Sequence, residues 1–170
     1  MTEPHHDGLI VEPAEAFGPD DYRRTLGHFA SGVTIVTASL GGERFGLTCQ
    51  SFFAVSLDPP LVAFSPAKTS RSYPRIREAG AFCVNILAET QADLGRTFAR
   101  SGADKWADVG WTTGATGSPI LDGVLAWVDC DWHAEHEAGD HWLVLGRVRA
   151  LRGSDHKPLV YFRSAFERIG

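Results

Sequence analysis

The sequence lacks the short motifs that most often bind nucleotides or form a catalytic elbow. No GxGxxG opens a helix after a strand, which argues against a Rossmann dinucleotide site. No GxxxxGK(S/T) is present, so a P-loop is excluded, and no GxSxG nucleophile elbow occurs. The chain has 170 residues, of which 44% are apolar, and this is enough for one domain with a real core.

The chain also has no long apolar run and no block of one charge. No segment approaches the roughly 20 apolar residues that cross a bilayer. The net charge is −5 without a lysine- or arginine-rich stretch, which argues against nucleic acid or an anionic membrane as the main partner. Residues 1–16 have neither periodicity nor the apolar core of a signal peptide. We expect them to form a flexible tail, with one domain over residues 17–170.

Cysteine is scarce, with only Cys49, Cys83 and Cys130, and no CxxC is present. An odd number of scattered cysteines fits reduced thiols in a cytoplasm better than a disulfide framework. We expect these side chains to fill core positions and the protein to be cytoplasmic.

The sequence does not predict a metal site, although four possible ligands lie near one another. Cys130, His133, His136 and His141 are close in sequence, but residues 124–136 have the pattern of a strand. In a strand, the side chains at 130 and 136 point to one face and His133 points to the other. No spacing with known zinc geometry is present.

The pattern of the remaining chain predicts many strands and few helices. The first helix begins near Pro19, with Asp20 as its cap, an apolar face that includes Tyr22, Leu26 and Phe29, and an end at residues 31–32. Further helices are predicted over residues 71–80, with Gly80 as C-cap, and over 90–100. Residues 101–119 are expected to be loop. Strands are predicted over residues 33–38, 45–49, 52–57, 61–65, 81–87, 124–136, 142–151 and 159–162. This order lacks the alternation of a doubly wound sheet and favours an antiparallel barrel with flanking helices.

Residues 46–60, GLTCQSFFAVSLDPP, are the most informative stretch. Glycine and hydroxyl-bearing residues alternate with apolar ones in a strand pattern. Gly46 would allow a flat ligand to approach the backbone, and Thr48, Gln50 and Ser51 offer donors and acceptors. The alternative is an ordinary sheet edge that ends in a turn.

A second polar block, SPAKTSRS, covers residues 65–72 between a strand and a helix. Its four hydroxyls and its two cations, Lys68 and Arg71, are typical of a phosphate-binding loop. A plain Ser/Thr cap on a surface helix would have the same composition.

Other candidates lie near turns and loops. His141 follows the turn at Gly139-Asp140 and either contacts a ligand at the barrel mouth or caps the turn. Trp106, Trp111 and Trp132 could stack on a ring, although tryptophan also fills cores and subunit interfaces.

Taken together, these segments resemble the flavin reductase domain family, the small reductase components of two-component flavin-dependent monooxygenases. The resemblance covers about residues 17–166 and depends on the joint order of the motifs. The matching segments are SGVTIVT at 31–37, GLTCQSF at 46–52, SLDPPLV at 56–62, FCVNIL at 82–87, GSPIL at 117–121, GDH at 139–141 and PLVYFR at 158–163.

The resemblance implies a mainly β, FMN-binding split β-barrel, antiparallel and Greek-key-like, with peripheral α-helices. It also implies a homodimer with the flavin in a groove near the subunit interface. It assigns Gly46, Leu47, Thr48, Gln50 and Ser51 to the flavin ring and ribityl chain. For the phosphate, it assigns the segment 65–72, in particular Ser65, Pro66, Ala67, Arg71 and Ser72. Phe98 is implied to lie near the flavin, His141 beside the nicotinamide, and Phe162 and Arg163 at the border of the same cleft.

The expected function is NADH- or NADPH-dependent reduction of FMN or FAD. The reduced flavin would go to a separate oxygenase of the aromatic or steroid hydroxylase type. His141 is the only residue expected to act catalytically, by positioning the nicotinamide, and no metal, nucleic acid or membrane is expected to take part. Two alternatives use the same barrel: a pyridoxamine-phosphate-oxidase-like enzyme, which would normally have more phosphate-site arginines, and a non-catalytic flavin or haem carrier.

Overall fold

The structure, a computed structural model, describes residues 17–100 and 104–169. The predicted tail over residues 1–16 lies outside the described residues. In chain order, the described elements are α1 (Pro19–Leu26), β1 (Ser31–Gly32), β2 (Thr34–Leu40), β3 (Glu43–Cys49), β4 (Phe53–Leu57), β5 (Pro60–Phe64), α2 (Tyr73–Ala79), β6 (Ala81–Ile86), α3 (Ala92–Ala99), β7 (Trp111–Thr113), β8 (Pro119–Leu121), β9 (Ala126–Ala138), β10 (His141–Gly153), β11 (Leu159–Phe162) and β12 (Ala165–Arg168).

Seven of the strands form one antiparallel sheet in the order β3-β2-β6-β9-β10-β5-β4. Its two edge strands, β3 and β4, are consecutive in the chain and are joined by residues 50–52. Four Cα–Cα steps bring the end of β3 within about 14 Å of the start of β4. The edges are therefore near each other but not paired to each other, as in a split barrel. The predicted mainly β, antiparallel class with peripheral helices is confirmed.

The β-branched run at the start of β2 is buried on both faces. Val36 packs into a core cluster with Phe64 and Phe82, whose rings meet edge to face at 5.1 Å. Ile35 points to the opposite side, into a second cluster that includes Phe98. A strand with core on both faces needs apolar residues at consecutive positions, and this explains the lack of alternation there.

Two small sheets contain strands that the sequence did not predict. β7 lies inside the expected loop over residues 101–119 and pairs with β8, which begins at the end of that loop. The predicted strand β11 pairs with β1 and β12, neither of which was predicted. The β7–β8 segment is held by distant polar groups. The buried Asn85 side chain accepts a hydrogen bond from the Leu121 N–H at 2.8 Å, and the buried Asp129 carboxylate accepts one from the Thr116 N–H at 2.8 Å. Contacts of this kind leave no local pattern in the sequence.

The first helix differs from the prediction in three respects. Its N-cap is Gly18, whose N–H donates to the Asp21 carboxylate at 3.1 Å, and Asp20 instead pairs with Arg23. This hydrogen bond, followed by Arg24, lowers the pKa of Asp21. The helix ends at Leu26 and not at residues 31–32. The predicted inward face is exposed in the monomer, and Phe29 beyond the helix end is 82% exposed.

The other two helices follow the prediction closely. Tyr73 and Ile76 of α2 are buried, and Gly80 ends the helix with φ 69°, a conformation that glycine adopts without a steric penalty. Phe98 of α3 is buried and Leu94 is partly buried. Among the described residues, no helix is long and apolar enough to cross a membrane.

Candidate active site

A cleft of about 440 Å³ lies between the edge strand β3, the segment that joins β5 to α2, and the C-terminal end of α3. It brings together eight of the predicted site residues. These are Gly46, Leu47, Thr48, Pro66, Ala67, Arg71, Ser72 and Phe98. Nine further residues line the same cleft: Arg44, Phe45, Thr69, Ser70, Ala99, Arg100, Asp104, Lys105 and Trp106. The two polar segments singled out from the sequence therefore face one another.

The wall formed by β3 presents backbone groups to the cleft. β3 pairs with β2 on one side and forms an edge of the sheet on the other. The Gly46 carbonyl accepts a hydrogen bond from Lys105 Nζ at 3.1 Å. Since the N–H and C=O of one residue point to the same side of an antiparallel strand, the Gly46 N–H faces this edge, and so do the backbone groups of Thr48 two residues on. The edge can pair with a flat ligand that carries its own donors and acceptors.

Position 46 requires glycine because of a neighbouring aromatic side chain, whether or not a ligand is bound. A Cβ atom at this position would lie 2.5 and 2.6 Å from two carbons of the Phe98 ring. Phe98 is 1% exposed and meets the Trp106 ring edge to face at 5.1 Å. Close approach of a ligand was the predicted reason for a glycine at this position, but the nearest neighbour is the Phe98 ring.

The side chains of Leu47 and Thr48 are already used by the fold. Leu47 belongs to the buried core cluster inside the sheet. The Thr48 hydroxyl donates to the Gly95 carbonyl of α3 at 2.6 Å, which joins α3 to the strand. Both residues therefore offer the cleft mainly backbone groups and, for Thr48, the remaining lone pairs of its hydroxyl.

The first half of the segment over residues 65–72 is held by β10 and its preceding turn. The Trp142 N–H donates to the Pro66 carbonyl at 2.9 Å, and the Lys68 N–H donates to the Asp140 carbonyl at 2.9 Å. The Ser65 hydroxyl donates to the Trp142 carbonyl at 2.7 Å. Ser65 therefore anchors the segment and does not line the cleft.

Ser72 immediately precedes α2 but makes no capping hydrogen bond. Ser70 takes that role, because its hydroxyl accepts a hydrogen bond from the Tyr73 N–H at 3.2 Å. The Ser72 hydroxyl thus lines the cleft without a capping duty. Since α2 has only seven residues, charge in this region comes from side chains more than from the helix dipole.

The cleft is cationic although the chain is acidic. Among the described residues, Arg44, Arg71, Arg100 and Lys105 line it against one carboxylate, Asp104. Lys68, the other cation of the predicted phosphate block, points elsewhere: its ammonium pairs with Glu137 at 3.3 Å and lies 5.1 Å from the centre of the Trp142 ring. Burial lowers the pKa of Lys105. A surplus of arginine in a concave site favours an anionic ligand.

Arg44 was missed by sequence reasoning. Its guanidinium lies 5.5 Å from the centre of the Trp106 ring and 4.9 Å from that of Trp111. Cation–π contacts with the two tryptophans therefore hold the Arg44 guanidinium at the cleft. The third candidate, Trp132, packs against the core, and its buried Nε1 has no hydrogen-bond partner among the described residues.

Gln50 and Ser51 lie beyond the cleft, at the turn between β3 and β4. The Ser51 hydroxyl donates to the Ser65 carbonyl at 3.1 Å and accepts from the Ser65 N–H at 2.9 Å. Gln50 is exposed and lines a separate apolar groove of about 490 Å³ with Phe29 and Phe53. Ser51 therefore joins the two predicted segments where β3 ends.

His141 lies next to the cleft without lining it. Its backbone pairs with Ala67, a cleft residue, while its side chain, 42% exposed, borders a neighbouring cavity of about 610 Å³ against the start of α1. His141 Nδ1 lies 2.7 Å from Asp140 Oδ1. This hydrogen bond, followed by the charge of His141, lowers the pKa of Asp140. The contact fixes the ring orientation and leaves Nε2 for a ligand.

Phe162 and Arg163 lie at the β11–β12 turn, outside the cleft. Arg163 borders a third cavity, at the C-terminal end of α1, and its N–H donates to the Gly27 carbonyl at 3.0 Å. Its guanidinium lies 5.2 Å from the centre of the Phe162 ring.

The described residues contain no group of three or more His, Cys, Asp or Glu side chains that could hold a metal ion. All three cysteines are buried and free. Burial, followed by the nearby Asp129 charge, raises the pKa of Cys83, and the same two causes raise the pKa of Cys130 to about 12. These thiols are unreactive core residues.

Comparison with known proteins identifies the family. The family model described as "flavin reductase like domain" matches residues 26–170. The reductase subunit HsaB of a flavin-dependent monooxygenase from Rhodococcus jostii RHA1 is 45% identical over 170 residues, which cover 99% of this chain and 86% of that protein. The chain belongs to the flavin reductase-like family.

Solved structures agree with this assignment. Nitrilotriacetate monooxygenase component B from Mycobacterium thermoresistibile superimposes with a TM-score of 0.86 at 44% identity, covering 89% of this chain and 86% of that one. The NADH:FAD oxidoreductase SgcE6 of Streptomyces globisporus C-1027, in complex with NAD and FAD fragments, gives a TM-score of 0.85 at 33% identity, covering 92% and 98%.

Proposed function

We propose that this chain uses NADH or NADPH to reduce FMN or FAD and supplies the reduced flavin to a separate flavin-dependent monooxygenase. The observation that carries this proposal is the cationic cleft beside the free edge of β3. In a member of the flavin reductase-like family, such a cleft suits a flat ring with hydrogen-bonding edges that is joined to a phosphate. When bound, the flavin supplies the redox chemistry by accepting hydride from the nicotinamide, and the protein supplies binding and orientation.

The residues of the cleft fit a flavin in two parts. The backbone edge of β3 at Gly46, Leu47 and Thr48 is suited to the hydrogen-bonding edge of the ring. Phe98 forms an apolar wall behind it. Gln50 and Ser51 remain candidates for the ring and ribityl chain, and they would act from the turn at the end of β3.

The phosphate is assigned to the segment over residues 65–72. Arg71 supplies a guanidinium with no ion-pair partner among the described residues, and Ser72 supplies a hydroxyl free of capping. Pro66 and Ala67 contribute backbone to the same wall, while Ser65 holds the segment on β10. Because a charged guanidinium can bind phosphate at two oxygens, Arg71 is the main determinant.

His141 is proposed to position the nicotinamide. Its backbone pairing with Ala67 sets it at the border of the phosphate segment, and its hydrogen bond to Asp140 holds the ring in one orientation. Phe162 and Arg163 are proposed to border the nicotinamide side of the site. The catalytic requirement is placement of two rings, so no nucleophile or strong base is needed.

A homodimer is the proposed assembly, and the edge strand β4 is its proposed centre. Phe53, Val55 and Leu57 recur at every second residue and are exposed, Leu57 to 95%. A long apolar edge of this kind is normally covered by a partner strand or chain. The adjoining groove with Phe29 and Gln50 would put the flavin-binding turn close to the second subunit.

The partner oxygenase is proposed to be of the aromatic or steroid hydroxylase type, without nucleic acid or membrane involvement. The cytoplasm is the proposed location, since three free buried thiols fit a reducing compartment. The domain is proposed to span residues 17–170, with α1 as its first helix.

The decisive experiment adds FMN or FAD and NADH or NADPH to the purified protein. Oxidation of the nicotinamide is followed by absorbance, and cytochrome c reports the release of reduced flavin. We expect turnover that depends on protein and flavin together. Flavin binding without nicotinamide oxidation would instead favour the carrier, and oxidation of pyridoxamine phosphate would favour the other enzyme on this barrel.

A further inference from the structure

A cavity of about 550 Å³ at the C-terminal end of α1 is lined by cations, and none of the described residues that line it is a carboxylate. Its residues, named here the α1 arginine cluster, are Arg23, Arg24, Gly27, His28, Arg163 and Ser164. We propose that the α1 arginine cluster binds the phosphate groups of the nicotinamide dinucleotide while His141 contacts its nicotinamide. This assignment separates the donor's phosphate site from the flavin's phosphate site at Arg71, and it rests on the proposed role of His141.

The arginines are available to a ligand. Arg23 and Arg24 pair with Asp20 and Asp21 one helical turn earlier, at 2.9 and 2.5 Å, on an exposed surface. Such pairs stabilise a helix only weakly and exchange readily for a phosphate. Arg163 has no ion-pair partner among the described residues. A guanidinium can hold a phosphate through two charge-assisted hydrogen bonds, whereas Arg23 and Arg24 each make one such contact with their exposed carboxylate partners.

The turn that carries Arg163 has residue types that its backbone conformation disfavours. Arg163 and Ser164 have φ values of 47° and 66° and form the two-residue connection between the paired residues Phe162 and Ala165. Hairpin turns of this type favour Asn and Gly, because other residues with positive φ cost folding free energy. Strain of this kind concentrates at binding sites. The N–H of Arg163 donates to the Gly27 carbonyl, which fixes the turn against α1.

The cluster is connected to His141 along α1. Arg23 lines this cavity and also the neighbouring one that contains Asp140 and His141. The eight residues of α1 span about 12 Å, with the His141 cavity at the start of the helix and Arg163 at its end. The ribose and pyrophosphate of a dinucleotide can bridge this span. One helix would therefore align both ends of the hydride donor.

The test compares donors with and without phosphate in Arg163→Gly. This substitution removes the guanidinium and also suits the positive φ, so Tm should be unchanged or higher. The KM for NADH should rise about tenfold with little change in kcat, and NAD⁺ should bind correspondingly more weakly by titration calorimetry. Reduced nicotinamide riboside, which carries no phosphate, should keep its KM. Arg152→Ala is the matched control, because Arg152 is exposed and lines none of these cavities.

Each outcome decides the proposal. Equal losses for NADH and NADPH assign the cluster to the pyrophosphate, and a loss for NADPH alone assigns it to the 2′-phosphate. An unchanged KM for both dinucleotides, or an equal rise for the riboside, overturns the proposal, as does a change confined to flavin. His141→Ala should raise the KM of dinucleotide and riboside alike. If it does not, the nicotinamide assignment fails separately from the phosphate assignment.

Discussion

Replacing Gly46 with alanine should destabilise the protein, because the new methyl group has no room. It would lie 2.5 Å from Cε1 and 2.6 Å from Cδ1 of Phe98, far inside ordinary van der Waals contact. Phe98 cannot swing aside freely, since its ring is buried and packs on Trp106. Overpacking of this kind costs about 1–3 kcal/mol. For a chain of this length, each kcal/mol lowers Tm by roughly 2–4 °C, so a loss of about 2–12 °C is expected.

The assay is thermal or urea unfolding of Gly46→Ala, Phe98→Leu and the double variant. Phe98→Leu alone should destabilise by leaving space beside Trp106, and the double variant should recover part of both losses. The coupling free energy should reach at least about 0.5 kcal/mol with a stabilising sign. Gly153→Ala is the control, because a Cβ atom there meets nothing within 4 Å and its φ is not positive.

The same substitution should also weaken flavin binding, because Phe98 and the Gly46 backbone form one wall of the cleft. FMN and riboflavin should lose affinity equally, since the wall contacts no phosphate. A Gly46→Ala protein as stable as the parent would refute the steric reasoning. Additive losses in the double variant would show that the two residues are not coupled.

Three further predictions concern other parts of the molecule. Arg71→Ala with Ser72→Ala should weaken FMN binding roughly ten- to hundredfold in a titration and leave riboflavin binding nearly unchanged. Equal losses of affinity for both would show that the segment over residues 65–72 only caps α2. Tyr73→Phe removes the hydroxyl that donates to Glu135, a carboxylate only 8% exposed. The free energy of unfolding in urea should fall by about 1–3 kcal/mol. An unchanged free energy would show that Arg77 alone satisfies that carboxylate. Leu57→Glu should convert the proposed dimer to a monomer in light scattering, and an unchanged mass would move the interface away from β4.

The sequence patterns predicted best those elements whose cause is local. The run at the start of β2 is β-branched, and Gly80 ends α2 in a left-handed conformation, so both boundaries follow from residue type. The β7–β8 pair depends on Asn85 and Asp129, which lie far away in the chain. No window of sequence contains both sides of such contacts, and the segment was therefore interpreted as loop.

The first helix shows a different limit. Its apolar residues predicted one buried face, but the pattern cannot say what covers such a face. In the monomer, Tyr22 and Leu26 are exposed. An amphipathic pattern requires a partner surface without specifying whether that surface belongs to the same chain.

At the candidate site, the sequence indicated which segments line the cleft better than which side chains do. Lys68 and Arg71 are both cations of the predicted phosphate block, but composition alone does not separate them: Lys68 pairs with Glu137, and Arg71 lines the cleft. Arg44 is held at the cleft by its contact with the Trp111 ring, and Lys105 is held there by its hydrogen bond to the Gly46 carbonyl. Both contacts join residues that are distant in the sequence. Charge at a site is a tertiary property, so composition indicates it poorly.

The two halves of the cleft should therefore differ in how readily substitutions alter them. On the β3 side, the side chains of Gly46, Leu47 and Thr48 are occupied by packing or by a hydrogen bond to α3, and the groups left for a ligand belong to the backbone. Substitution cannot remove those groups without disturbing the strand. On the opposite side, Arg71 and Ser72 offer side chains that the fold does not otherwise need. Affinity for the ring should consequently change together with stability, while discrimination between phosphorylated and unphosphorylated flavin should change without it.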